Sequence, residues 1–110
     1  MNWIELKNED QIIEIIEKSQ SKPQVIFKHS TKCSVSSMAK SRLERSAVPE
    51  NTDFYYLDLI AHRAISNKVS EEFNVHHESP QILLIKNGEC LYDESHSAIS
   101  MTDIEEQILS

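Results

Sequence analysis

The tetrapeptide Cys33-Ser34-Val35-Ser36 is the part of the chain best suited to covalent chemistry. A cysteine thiolate attacks disulfide sulfur, and its surroundings decide how readily it forms. Here the cysteine stands between a strand and a helix. "QVIFKH" is short, β-branched and aromatic, as strands are, and "SSMAKSRLERSA" reads as a helix from Ser36 onward. A helix N-terminus presents unpaired N–H groups and the positive end of a dipole, both of which favour a thiolate. Lys28 and Lys32 add positive potential. The expectation is a partly exposed, nucleophilic Cys33. A hydroxyl at Ser36 donates to a thiolate or caps the helix, but it cannot close a disulfide. A disulfide formed at Cys33 is therefore expected to need a second thiol from outside this motif to resolve it.

The other cysteine, Cys90, follows the dipeptide Asn87-Gly88. That dipeptide is a strong hairpin signal, because a type I′ turn needs positive φ at both positions. Six residues, Gln81 to Lys86, run towards the hairpin from the pole where Cys33 lies, a span of roughly 20 Å. A disulfide needs Cα atoms within about 7 Å. Cys90 is therefore read as structural. His29, His76 and His77 raise the question of a Cys/His metal site with Cys33. A strand-end histidine is more often buried or hydrogen-bonded, and loop histidines are more often solvated, so no metal is assigned.

The elements that must position Cys33 follow from the pattern of the chain. Asn8 and Gln11 have the spacing of a capping box, and Ile12, Ile13 and Ile16 are expected on one face of the helix they open. After "QVIFKH" and the Ser36 helix, with Met38, Ala39, Leu43 and Ala47 near one face, Pro49 and Asn51 mark a stop. "DFYYLDLI" reads as a buried strand. "HRAISNKVSEEFNV" is a helix with Ile65, Val69 and Phe73 at four-residue spacing and Asn74 as its left-handed end. "QILLIK" and "ECLYDE" form the hairpin around Asn87-Gly88. The last helix starts near Ser100 or Thr102, with Thr102 and Glu105 as a second capping box and Ile104, Ile108 and Leu109 as its apolar face. Pro80, immediately before a strand, is a candidate cis peptide. The helix joining the first two strands forces a right-handed parallel crossover.

The order α-β-α-β-α-β-β-α, with Cys33 after the first central strand and Pro80 before the third, resembles the thioredoxin fold. The expected architecture is α/β, a central mixed four-stranded sheet flanked by helices, in a single domain over residues 1–110. Within that fold, "HSTKCSVSS" and "ESPQILLIKNGECLY" resemble the monothiol bacilliredoxin family. Thr31, Cys33 and Ser36 match that family's pattern, and Ser34 replaces its usual proline. The resemblance implies a thiol-disulfide oxidoreductase that removes bacillithiol from protein mixed disulfides. Cys33 and Ser36 would be catalytic, with Ser36 standing where dithiol relatives place a resolving cysteine. Thr31, Lys32, Ser34, Val35, Ser79 and Pro80 would bind substrate. Ser79 would offer its N–H and C=O to an extended chain. Bacillithiol would be a co-substrate rather than a resident cofactor, and bacillithiolated proteins would be the partners. Lys28, Lys32 and Lys40 are candidates for holding its malate carboxylates.

Composition bears on the alternatives. Eighteen acidic against eleven basic residues leave a formal net charge of −7, which disfavours nucleic-acid and anionic-membrane partners. No apolar run approaches a bilayer span, and the N-terminus lacks the pattern of a secretory signal, so the cytoplasm is expected. A second class of function is a non-catalytic thioredoxin-fold adaptor whose Cys33 accepts an adduct only as a signal. Arsenate-reductase-like chemistry is a lesser alternative, because Ser37 stands where that family carries an arginine and an oxyanion site needs a positive group.

Overall fold

A computed structural model describes residues 1–110. Five strands form one sheet in the order β1-β3-β2-β4-β5. They are β1 (Ile4–Glu5), β2 (Gln24–His29), β3 (Asp53–Asp58), β4 (Gln81–Lys86) and β5 (Glu89–Ser95). The helices are α1 (Asp10–Lys18), α2 (Ser34–Arg45), α3 (Arg63–Phe73) and α4 (Met101–Leu109). β3 runs parallel to β2 and β1, and β4 runs antiparallel to both β2 and β5. The mixed sheet therefore has five strands where four were expected. The added strand is β1, two residues paired with Tyr55 and Tyr56, too short to leave a periodic signal.

Alternation along β2 sorts the two faces. Ile26 points into a core with Ile12 and Ile15 of α1 and Ile65, Val69 and Phe73 of α3. Val25 and Phe27 point into the opposite core, with Ala39 and Leu43 of α2 and Met101 and Ile104 of α4. Two helices thus cover each face, and all six residues of β2 are buried.

Most local signals that rest on backbone chemistry held, the Thr102–Glu105 capping box excepted. Asn8 and Gln11 exchange the two reciprocal capping-box bonds, at 3.1 and 3.3 Å. Asn74, Asn87 and Gly88 all adopt positive φ, and Ser79-Pro80 is cis. Three helix faces differ from expectation. Ile15, not Ile13, completes the buried face of α1, and Ile13 is exposed. On α2, Ser36, Ala39 and Leu43 are buried; Met38 is exposed and Ala47 lies beyond the helix. On α4, Ser100 is the cap, accepting from the Asp103 N–H at 3.2 Å. Thr102 therefore falls inside the helix, and Leu109 is left exposed. In each case the sheet's position, rather than the helix period, decided which side turned inward.

Candidate active site

β2 ends at His29, and the chain turns through Ser30–Lys32 into α2. Cys33 is the N-cap, in extended conformation (φ −114°, ψ 120°). Its N–H donates to the Ser30 carbonyl at 3.1 Å, and its carbonyl accepts from the Ser37 N–H at 3.1 Å. The residue is partly exposed, and Thr31, Lys32, Ser34 and Val35 around it are all exposed. Gln81 pairs with Lys28 across β2 and β4, so the loop ending in Pro80 leaves the sheet at the same pole as the Cys33 loop. Pro80 is buried. Neither the N–H nor the carbonyl of Ser79 bonds to backbone elsewhere in the chain. Its hydroxyl is enclosed and has no partner.

Ser36 faces inward rather than towards solvent. It is fully buried, accepts from the Ser30 N–H at 3.0 Å, and sits 2.6 Å from His29 Nδ1. These two contacts engage the hydroxyl, and no hydrogen bond joins it to the Cys33 sulfur. Ser36 therefore ties the turn that presents Cys33 back onto the strand. His29 stacks on Phe27 and leans on Tyr56, with centroids 5.7 and 5.5 Å apart. Burial, reinforced by the Lys40 charge, holds the imidazole below its ordinary pKa; Asp58 and Glu44 oppose this. Neutral His29 fits a partner that is a hydroxyl and not a carboxylate. The strand-end position of His29 pointed to burial or a hydrogen bond, but nothing in the sequence named Ser36 as its partner. Ser36→Ala is expected to cost about 1–3 kcal/mol, because it orphans the part-buried Ser30 N–H and the buried ring nitrogen of His29. Urea denaturation would show it as a lower midpoint, and an unchanged midpoint would remove this role.

The three expected cations separate. Lys28 does not contribute to the thiol's surroundings. It lies on the opposite side of the sheet, where strand alternation places it among the residues facing α3, and it is fully buried. Its ammonium has three donors and meets three neutral acceptors: the Ser66 carbonyl at 3.1 Å, Ser70 Oγ at 2.8 Å and His77 Nδ1 at 3.2 Å. Burial pushes its pKa down to about 8. His77 is likewise held low, first by burial and then by the Lys28 and Arg63 charges, with Glu78 opposing. The lysine thus joins the end of β2, α3 and the loop leading to Pro80. Lys40 is paired with Glu44 at 2.9 Å and lies over the Tyr56 ring. Lys32 alone is exposed beside Cys33 and free of any ion pair.

His29 and His77 fall on opposite faces of the sheet, and no three His, Cys, Asp or Glu side chains gather as a metal-ligand cluster. Cys90 pairs with Ile85, which in turn pairs with Gln24 at the start of β2. The length of β2 therefore separates it from Cys33, and both thiols are free.

A thiol at the N-cap of the helix after the first central strand, with a cis-proline loop at the same pole, defines the thioredoxin-fold class of thiol-disulfide oxidoreductases. Solved structures agree. A protein described as a candidate oxidoreductase with a thioredoxin fold is 30% identical, with a TM-score of 0.83, covering 94% of this chain and 91% of that one. The thioredoxin of Malassezia sympodialis (19% identity, TM-score 0.75, 98% and 89% covered) and that of Fasciola hepatica (18%, 0.74, 96% and 95%) share the fold. The family model for the monothiol bacilliredoxin BrxC matches residues 4–104. The chain belongs to the monothiol bacilliredoxin family, and its function is thiol redox chemistry.

Proposed function

We propose that the protein removes bacillithiol from protein mixed disulfides, with Cys33 as the nucleophile. The observation that carries this reading is a partly exposed thiol at a helix N-terminus with no second sulfur within reach. The Cys33 thiolate attacks the bacillithiol sulfur of the mixed disulfide. A Cys33–bacillithiol S–S bond forms, the bond to the target breaks, and the target leaves as a thiolate that takes up a proton. The number of disulfides is conserved, so this step needs no outside oxidant or reductant. A second thiolate then attacks the bacillithiol sulfur and displaces Cys33 as the free thiolate. Thr31, Lys32, Ser34 and Val35 line the approach. The unpaired backbone groups of Ser79 suit an extended substrate chain. Ser36 acts on the thiol through the turn it anchors.

The family match and the lack of a resolving cysteine support this reading over a dithiol cycle. No helix is long and apolar enough to cross a membrane, and the reading places the reaction in the cytoplasm. A bacillithiolated protein incubated with the chain should lose its adduct, and intact mass should find that adduct on Cys33. No adduct on Cys33 while the target stays modified would end the proposal. Repeated release of reduced target, rather than a single stoichiometric transfer, separates catalysis from an adaptor that only records the adduct.

A further inference from the structure

We infer that the flank of α2 running away from Cys33 is an anion-binding subsite for the acidic tail of the small thiol. This rests on the reading of Cys33 as the acceptor of a small-thiol adduct. Two hollows lie along that flank. One, of about 350 Å³, is lined by Ser37, Met38, Ser41, Arg42 and Arg45. The other, of about 290 Å³, shares Arg42 and Arg45 and is closed by Ser46 and the first residues of α4. The two arginines therefore form the ridge between them.

Both guanidinium groups lack a carboxylate partner, in a chain with eighteen acidic residues. Arg42 donates only to the Ser97 and Ile99 carbonyls, at 3.3 and 3.2 Å. Its Nε is enclosed and has no acceptor. An enclosed guanidinium donor without an acceptor is costly unless a ligand supplies one. Arg45 is exposed beside it. The acidic residue on the same helix, Glu44, is already held by Lys40 and by the Trp3 indole N–H at 2.8 Å.

The spacing sets the ligand class. Arg42 and Arg45 lie nine and twelve residues beyond Cys33, roughly 14 and 18 Å along the helix axis. Side chains on a helix tilt towards its N-terminus, which shortens that distance for Arg45, while the Arg42 guanidinium turns to the Ser97 and Ile99 carbonyls. An adduct on Cys33 must therefore carry its carboxylates about 10 Å or more from its sulfur. A thiol bearing a dicarboxylate beyond a spacer fits this distance; free cysteine does not. Of the three lysines first expected to hold such carboxylates, Lys28 is buried behind the sheet and Lys40 is paired, which leaves Lys32 beside the thiol.

Transfer rates to Cys33 test the subsite with two donors, one carrying bacillithiol and one carrying 2-mercaptoethanol on the same target. Arg45→Glu, at an exposed position, is expected to slow bacillithiol transfer about tenfold and leave 2-mercaptoethanol transfer unchanged. Arg45→Lys should restore most of the difference. Equal rates for both donors in wild type and Arg45→Glu would overturn the subsite while leaving the transfer function intact. Equal slowing of both donors would also overturn it, since it would mark general damage. Failure of both donors to modify wild-type Cys33 would overturn the functional reading and the subsite with it.

Discussion

Cys33→Ser is expected to lower the rate of adduct transfer by on the order of a thousandfold or more, because it removes the nucleophile and leaves nothing to replace it. The same substitution at Cys90 should leave the rate within about twofold. The contrast follows from placement. Cys33 is partly exposed at the N-cap of α2. Cys90 packs against the core that α1 and α3 share. Burial, with the Asp93 charge adding to it, pushes the Cys90 thiol up to about 11. Its Sγ donates to the Tyr92 carbonyl at 3.4 Å. Stopped-flow transfer with intact-mass readout separates the two variants. Transfer that survives in Cys33→Ser, or a native Cys33–Cys90 disulfide, would overturn the assignment.

Lys28 carries the second large effect. Lys28→Ala is expected to destabilise the fold by about 3–5 kcal/mol, since it opens a cavity beneath β2 and removes the donor from one buried and two part-buried acceptors. Lys28→Met keeps the aliphatic length and removes a charge whose burial opposes folding, so it should cost less than half as much. The pH dependence identifies the cause. The folded-state value, about 8, lies below the ordinary 10.5. Between those limits the unfolded chain binds more protons, so raising pH favours the folded state. The penalty is fully present below about pH 8 and is relieved as pH approaches 10.5. Urea denaturation of wild type and Lys28→Met at pH 7 and pH 10 should therefore show wild type gaining on the variant by about 1–3 kcal/mol. Taking the difference cancels the opposing contributions of Cys90 and Tyr55, whose values burial raises in both proteins. A gap that stays constant with pH would mean that the amine is not desolvated in this way.

Lys28 also shows where sequence reading ran out. In "QVIFKH" it looked like a surface cation next to the thiol. Its position in the strand places it on the face opposite Phe27, towards α3, and only the packed helices show that this face is closed. The acceptors that satisfy it lie 38 to 49 residues away in the chain. Ser36 was legible as the residue that cannot resolve a disulfide, because that is a property of oxygen. Its bond to His29 was not legible, because it depends on how the turn folds back on the strand. The Arg42 and Arg45 ridge was silent for the same reason: two arginines late in a helix read as ordinary solvated charge until α4 is packed beside them.

The sequence by itself determined what rests on local backbone chemistry and on residue type. The Asn8–Gln11 cap, the Asn74 helix end, the Asn87-Gly88 turn and the strand-helix order are short-range preferences that survive any packing. They were enough to imply the fold class, and the lone thiol of Cys33-Ser34-Val35-Ser36 was enough to exclude a disulfide within that motif. Tertiary structure alone decided which helix faces turned inward, that β1 joins the sheet, and which cations stay near Cys33. Those outcomes depend on desolvation and on contacts between residues far apart in the chain, so the free energy that selects them exists only once both sides of the sheet are covered.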